Sequence, residues 1–431
     1  MIFFYKILIN ILFVITLLFL PFICLFSEKR RANLCQRLGF KTGFKKKVSG
    51  KKRLWIHALS VGEVVSALPF VKALKDRHKD IDIVFTASTK TGFDMADQCL
   101  VRDGGLVDQL GYFPFDPGYC VKKIIRRIEP GAVVIVETDL WPNFLHEMKK
   151  SKIPVVLINA RLSKRSLKGY LFFKKFSAMF FSSLAGIMAQ SPLDGERFQR
   201  LGIDKNKISV VGNIKFDQPY MNMDKNHVKS LMDSFYVQRE TRVFIAGSTH
   251  DGEEKILCDV YKKVKKNFQR LLMILAPRDP KRCPEILSYF LSNDVKAVLM
   301  STMDKLKDHP EVILVDKIGI LSKLYSICDV AFIGGSMVRQ GGHNPLEPAA
   351  FAKPVLFGTD MTDFLQISSL LTGHGAARKV KSGHELVKEL EIMLGDTRVR
   401  QQMGKKSLEV FLQNSGAVKR IIKNMEILHI V

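Results

Sequence analysis

From residue 54 onward the chain repeats one pattern: a short apolar run, a turn, then a helical stretch. Such alternation marks parallel βαβ units and predicts a doubly wound α/β architecture. In the first half the strand-like runs are Leu54–Ala58, Ile83–Ala87, Ala132–Glu137, Val155–Asn159, Gly186–Ala189 and Ile208–Val211. In the second half they are Val243–Gly247, Leu271–Ala276, Val295–Leu299, Val312–Val315, Val330–Ile333 and Pro354–Phe357. Lys215–Glu240, between the halves, is polar and Met-rich without such a run, and reads as a linker with a helix. The 431 residues therefore divide into an N-terminal segment 1–27, a first domain 28–220, a linker 221–240 and a second domain 241–431 that includes a C-terminal helix. Ligands of doubly wound domains bind at the carboxyl ends of the strands, so the expected crevice lies between the halves.

Ahead of this pattern, Ile7–Phe26 is apolar apart from Asn10, Thr16 and Pro21. About 20 such residues suffice to cross a bilayer as a helix. Lys6 precedes the run. Lys29, Arg30, Arg31, Arg37, Lys41, Lys45, Lys46, Lys47, Lys51, Lys52 and Arg53 follow it, opposed by Glu28 alone. The positive-inside rule then predicts an anchor with the body of the chain in the cytoplasm, its basic stretch against anionic headgroups. Pro21 also allows a flatter, partly inserted anchor. The formal charge of +25 favours an anionic partner. Nucleic acid is disfavoured because no recognition helix or RNA-binding signature accompanies the charge. The seven cysteines are scattered without a C-x-x-C pair, which argues against a disulfide framework or structural zinc.

Two strand–loop–helix turns carry the best candidates for chemistry. Leu54–Ala58 leads into Leu59-Ser60-Val61-Gly62-Glu63, and Val330–Ile333 leads through Gly334–His343 into Asn344-Pro345-Leu346-Glu347. Ser60-x-x-Glu63 and Asn344-x-x-Glu347 both fit a capping box, which accounts for either glutamate without chemistry. Their surroundings add a second reading. Gly334, Gly335, Gly341 and Gly342 precede the second helix, where glycine lets backbone N–H groups approach a phosphate and a following carboxylate can accept ribose hydroxyls. Gly62 leaves room for a substrate beside Glu63. No G-x-G-x-x-G run follows the first strand, so a nicotinamide dinucleotide is not expected.

Seven ordered motifs stand along the chain: Trp55–Val64 (WIHALSVGEV), Val136–Asn143 (VETDLWPN), Ile158–Ser163 (INARLS), Gly212–Asp217 (GNIKFD), Gly247–Glu254 (GSTHDGEE), Ala276–Pro280 (APRDP) and Gly334–Pro348 (GGSMVRQGGHNPLEP). Together they resemble the Kdo transferases, which move 3-deoxy-D-manno-octulosonic acid (Kdo) from its CMP-activated form to a lipid A precursor. The resemblance implies a GT-B fold of two Rossmann-like domains facing a cleft, an inner-membrane position, inversion at the transferred sugar, and no metal or other cofactor. It implies Glu63 as proton acceptor, with Glu137 and Lys215 supporting the transition state. It places CMP at Pro277 and Arg278, at Ile318-Gly319-Ile320, and at Asn344, Pro345, Leu346 and Glu347. The middle loop departs from the family pattern, which reads Met-Gly-Glu. The implied partners are CMP-Kdo, a lipid A precursor and membrane lipid. Two rivals remain: an epimerase of nucleotide sugars on the same scaffold, and a non-enzymatic basic protein that binds membrane or nucleic acid.

Lys164–Phe181 interleaves aromatic and basic residues, either as a surface that dips into a membrane or as a buried amphipathic helix with a basic rim. Asp80-Ile-Asp82 matches the D-x-D pattern of metal-dependent transferases only trivially. His250 and His343 fall in the motifs without a second ligand at metal spacing, and read as hydrogen-bonding residues.

Overall fold

The structure, a computed structural model, describes residues 28–40, 42–47, 50–217, 223–305 and 310–431, together with residues 5, 9–11, 13 and 15. The chain forms two compact units, Met1–Pro219 with Ser415–Val431, and Tyr220–Asn414.

In the first unit β1 (Arg53–Ala58), β2 (Asp82–Ala87), β3 (Gln109–Tyr112), β4 (Ala132–Val136), β5 (Val155–Ala160), β6 (Gly186–Ala189) and β7 (Ile208–Val210) form one parallel sheet. Its order is β3-β2-β1-β4-β5-β6-β7. Every residue of β1, β4 and β5 is buried, as expected for strands covered on both faces, and this is why they read as unbroken apolar runs. The helix Val61–Arg77 buries Val64, Ala67, Phe70, Val71 and Leu74 at helical spacing against Ile56, Ile83 and Val134. On the other face Trp55 meets Phe144 edge-on at 5.2 Å.

The second unit repeats the plan. β8 (Arg242–Thr249), β9 (Leu271–Pro277), β10 (Ala297–Leu299), β11 (Val312–Leu314), β12 (Val330–Ile333), β13 (Val355–Phe357) and β14 (Ala377–Lys379) form a parallel sheet ordered β10-β11-β9-β8-β12-β13-β14. In each sheet the strand order reverses beside the first strand. The reversal lies between β1 and β4 in one and between β8 and β12 in the other. Such reversals open crevices at the carboxyl ends of the strands.

Three expectations change. β3 and β14 have no counterpart among the predicted strands. Both are short edge strands, QLGY and ARK, with no apolar run to announce them. The second domain stops at Asn414 rather than residue 431, because the helix Ala417–Ile427 buries Ile421, Ile422 and Met425 in the core of the first unit. Asp217 fixes this helix by accepting the N–H groups of Gly416 and Val418, acting as a cap that the preceding residue, a glycine, cannot supply. Arg53 leaves the lipid-facing basic stretch: it is buried, donates to Asp82 at 2.7 Å and to the Ile128 carbonyl at 2.7 Å. Asp82 is thereby committed to an ion pair, which removes it from a D-x-D metal site. Among the described residues no helix is long and apolar enough to cross a membrane, and most of the predicted anchor Ile7–Phe26 lies outside them.

Candidate active site

The first site grows from the carboxyl ends of β1 and β4, the two strands at the reversal. β1 runs into Leu59 and Ser60, and the helix starts at Val61, so Glu63 stands in its first turn. The capping box forms only in part. Ser60 makes no side-chain cap, while the Glu63 carboxylate reaches back to accept the Leu59 N–H at 2.5 Å. Glu137 follows β4 directly with φ 62°, a left-handed backbone that costs a residue with a Cβ about 1–2 kcal/mol. Strain of this kind is held only where the surroundings impose it, and it clusters at functional sites.

Glu63, Glu137, Asp139, Arg161, Ser166 and Tyr170 are among the residues lining a cavity of about 210 Å³. Burial pushes the Glu63 carboxyl up to about 8; the Leu59 N–H opposes this, Glu137 and Asp139 add to it, and Lys215 opposes it. Glu137 is also raised, chiefly by burial and against Lys215 and Arg161. Three carboxylates and two cations thus converge on one small space. A carboxyl held near neutrality can take up a proton during a reaction.

Lys215 is positioned by a relay of amides. The Asn159 Oδ1 accepts the Ile214 N–H at 3.1 Å, and the Asn213 Oδ1 accepts the Lys215 N–H at 2.9 Å. Gln190 links the two, donating to the Asn159 carbonyl at 2.9 Å and accepting from Asn213 at 3.1 Å. This fixes the short turn Ile214–Asp217 that carries the lysine.

Sequence reasoning missed Asp139, Arg161 and Tyr170, although the first two lie inside quoted motifs. It also left His57 without a role. His57 is fully buried, with Nδ1 3.0 Å from the Thr86 carbonyl and Nε2 3.1 Å from Asp139 Oδ2. A carbonyl only accepts, so Nδ1 carries a proton. Nε2 then faces a carboxylate oxygen of Asp139. Trp141 donates to the same oxygen at 3.0 Å. Asp139 is therefore locked in place at the cavity wall.

The second site occupies the carboxyl edge of β11, β9, β8 and β12, adjacent in that order. Pro277 ends β9 and Arg278 follows, its N–H donating to the Thr249 carbonyl at 2.9 Å. Ile318-Gly319-Ile320 lies past β11, with Ile318 89% exposed and Gly319 at φ 87°. The helix expected from Asn344 begins at Leu346, with Pro345 as its cap residue and the Asn344 Oδ1 accepting the Leu346 N–H at 3.1 Å. Glu347 bonds the Asn344 side chain; burial pushes its carboxyl up to about 7, against Asn344 and Arg278. The topology thus brings every residue implied for CMP to one edge of one sheet.

The glycine loop differs from expectation. Glu253, buried at the start of the helix Glu253–Lys265, accepts the N–H groups of Gly335 at 2.7 Å, Ser336 at 3.0 Å, Met337 at 2.9 Å and His250 at 3.0 Å. The Gly341 N–H goes to Asp360 at 2.8 Å and the Gly342 N–H to the Gly335 carbonyl at 2.9 Å. These amides brace the loop and are not presented to a phosphate. Gly334 has a different reason to be glycine: a Cβ there would lie 2.4 Å from the Ser248 carbonyl oxygen. His250 and His343 stack with their Nε2 atoms 2.8 Å apart, one donating to the other. Burial, Arg278 and His250 lower His343 to about 4, which favours its neutral form.

Residues 32–218 match the family described as 3-deoxy-D-manno-octulosonic-acid transferase (kdotransferase). The 3-deoxy-D-manno-octulosonic acid transferase of Haemophilus influenzae is 32% identical over 422 residues, covering 97% of this chain and 97% of its own. The chain belongs to the Kdo transferase family. It is a glycosyltransferase by that membership. The enzyme of the same name from Chlamydophila psittaci is 31% identical over 342 residues, 79% of this chain and 77% of that one. Among solved structures, the UDP-GlcNAc 2-epimerase of Neisseria meningitidis superposes with a TM-score of 0.59 at 15% identity, over 87% of this chain and 99% of that one. At that identity the likeness concerns the fold: two parallel-sheet α/β domains of the GT-B kind. Within the first unit, Glu63 and Glu137 line one cavity, and Lys215 lies close enough to act electrostatically on both carboxylates.

Proposed function

We propose that this transferase moves Kdo from CMP-Kdo to a hydroxyl of a lipid A precursor, inverting the anomeric centre, with Glu63 as general base and without a metal. The observation that carries the reading is the carboxyl of Glu63, raised toward neutrality in a cavity shared with Glu137 and close to Lys215. In the reaction the acceptor hydroxyl gives its proton to Glu63 as its oxygen attacks the anomeric carbon. The bond from that carbon to the phosphate oxygen breaks, and CMP departs with the electron pair. Lys215 and Arg161 balance negative charge beside Glu137, either that of the sugar carboxylate or charge developing during transfer.

In the second unit, Pro277, Arg278, Ile318, Gly319, Ile320, Asn344, Pro345, Leu346 and Glu347 hold CMP on this reading. Arg278 supplies the cation for the phosphate, because the braced amides of the glycine loop do not. Glu347 accepts from ribose hydroxyls. The enzyme works at the inner membrane facing the cytoplasm, where its net charge of +25 suits an anionic donor, a phosphorylated acceptor and acidic lipid.

Incubation of the purified enzyme with CMP-Kdo and a tetra-acylated lipid A precursor, followed by mass spectrometry of the lipid, is expected to show addition of Kdo. Glu63→Gln is expected to keep the fold and CMP binding while losing about 10²–10⁴-fold in rate. Substantial transfer by the folded variant would remove Glu63 from the role of base.

A further inference from the structure

The loop from β4 to the helix Pro142–Lys150 carries a carboxylate that the fold alone does not call for. Thr138 pins this loop to the end of β5. Its hydroxyl donates to the Arg161 carbonyl at 2.6 Å and accepts the Arg161 N–H at 3.2 Å. Asp139 comes next and joins Glu63 and Glu137 in lining the cavity of about 210 Å³. Three carboxylates in so small a space repel one another. The Asp139 charge adds to the rise of the Glu63 carboxyl, and it also bears on Arg37 and on Tyr170 of the cavity wall. An uncharged side chain at 139 relieves that repulsion, so the carboxylate serves something other than stability.

Asp139 is held by one oxygen. Oδ2 meets Nε2 of His57 at 3.1 Å and accepts the Trp141 indole N–H at 3.0 Å. His57 has no freedom to turn. It is fully buried, its Nδ1 lies 3.0 Å from the Thr86 carbonyl, and its ring stacks on Phe113 with centroids 3.8 Å apart. The other oxygen of Asp139, Oδ1, has no hydrogen-bond partner among the described residues. It is not sealed in the interior either. Among the described residues, the buried side-chain polar atoms without a partner belong to Asn143 and Asn159. Asp139 lines the cavity and its side chain is 15% exposed, so Oδ1 opens on the cavity. A carboxylate oxygen accepts hydrogen bonds and does not donate them. The group that suits it is a neutral hydrogen donor, whereas a phosphate or a second carboxylate is repelled.

We propose that Asp139 contacts substrate. Through Oδ1 it accepts a hydroxyl or amide hydrogen from the sugar seated beside Glu63, while His57 and Trp141 are positioning residues that hold Oδ2. The contact rests on the transferase reading of the Glu63 cavity. Anchoring one oxygen fixes the other, so the hydrogen bond forms with little loss of side-chain freedom and sets how the sugar turns toward the base. The acceptor and the transferred sugar are the two sources of such a donor, and kinetics separates them.

Initial rates are measured at about pH 9, where Glu63 is largely ionised with or without the Asp139 charge, varying CMP-Kdo and the lipid A precursor in turn. A contact kept from ground state to transition state raises the KM of the substrate that makes it and leaves kcat almost unchanged. Asp139→Asn is expected to raise one of the two KM values about tenfold or more, with CMP affinity by calorimetry and the circular dichroism spectrum unchanged. A rise confined to the lipid assigns the donor to the acceptor. A rise confined to CMP-Kdo assigns it to the transferred sugar, which CMP itself lacks. Trp141→Phe loses the N–H but keeps a ring, and is expected to raise the same KM roughly two- to tenfold. Trp141 is only partly buried, so this variant also carries the test where Asp139→Asn does not fold. Transfer by wild type with both KM values of the folded Asp139→Asn protein within about threefold overturns the contact alone. A rise in Asp139→Asn that Trp141→Phe does not share overturns the positioning role. Wild-type protein that transfers no Kdo overturns the transferase reading and the contact with it.

Discussion

Burial pushes the Glu63 carboxyl up to about 8, so on the proposed role as general base its protonation governs how the rate depends on pH. A general base acts only when ionised. Its folded value is raised, so the active form is depleted below pH 8 and restored above it. One unit below the midpoint about one molecule in ten carries the carboxylate, and one unit above about nine in ten do. kcat/KM, which reports the free enzyme, is expected to climb about tenfold from pH 7 to pH 9. Initial rates at low CMP-Kdo, followed by release of CMP across pH 6–9, measure this limb. Two variants test its origin. Glu137→Gln removes a like charge and should move the limb toward lower pH, while Lys215→Met removes an opposing cation and should move it higher. Glu63→Gln should abolish the limb with the activity. A profile flat across that range, or one unmoved by both charge changes, would refute the assignment of the base and of the electrostatics around it.

Glu347→Ala should weaken CMP binding by about 10–150-fold, the loss of a charged hydrogen bond worth roughly 1.5–3 kcal/mol, read by calorimetric titration with CMP. Ile320→Glu, which restores the acidic residue of the family loop, should change CMP affinity less than about threefold if the loop acts through its backbone, as the positive φ of Gly319 suits. Asp217→Ala removes the cap of the helix Ala417–Ile427 and should cost about 0.5–2 kcal/mol, seen as a fall of a few degrees in the melting temperature with CMP affinity unchanged.

The sequence made the central strands legible because both of their faces are buried, so β4 reads as an unbroken AVVIV. It made Glu63 and Glu347 legible because each follows a strand and opens a helix. Edge strands β3 and β14 were hidden, since neither needs an apolar run on both faces. The brace at the glycine loop was hidden for a different reason. Glu253 reaches Gly335 and Met337 only because β8 and β12 lie side by side, and no local spacing encodes that pairing. The same holds for Arg53 and Asp82, whose partnership depends on the register of β1 against β2.

The helix Ala417–Ile427 lies beyond the second unit in the chain yet completes the core of the first. During synthesis the first unit therefore waits, with its groove for Ile421, Ile422 and Met425 open, until all of Tyr220–Asn414 has been made. A nascent chain or fragment ending near residue 219 exposes that apolar groove, and is expected to be the species that chaperones hold or that aggregates. The second unit has no such dependence and can fold first, so its assembly precedes closure of the unit that carries Glu63.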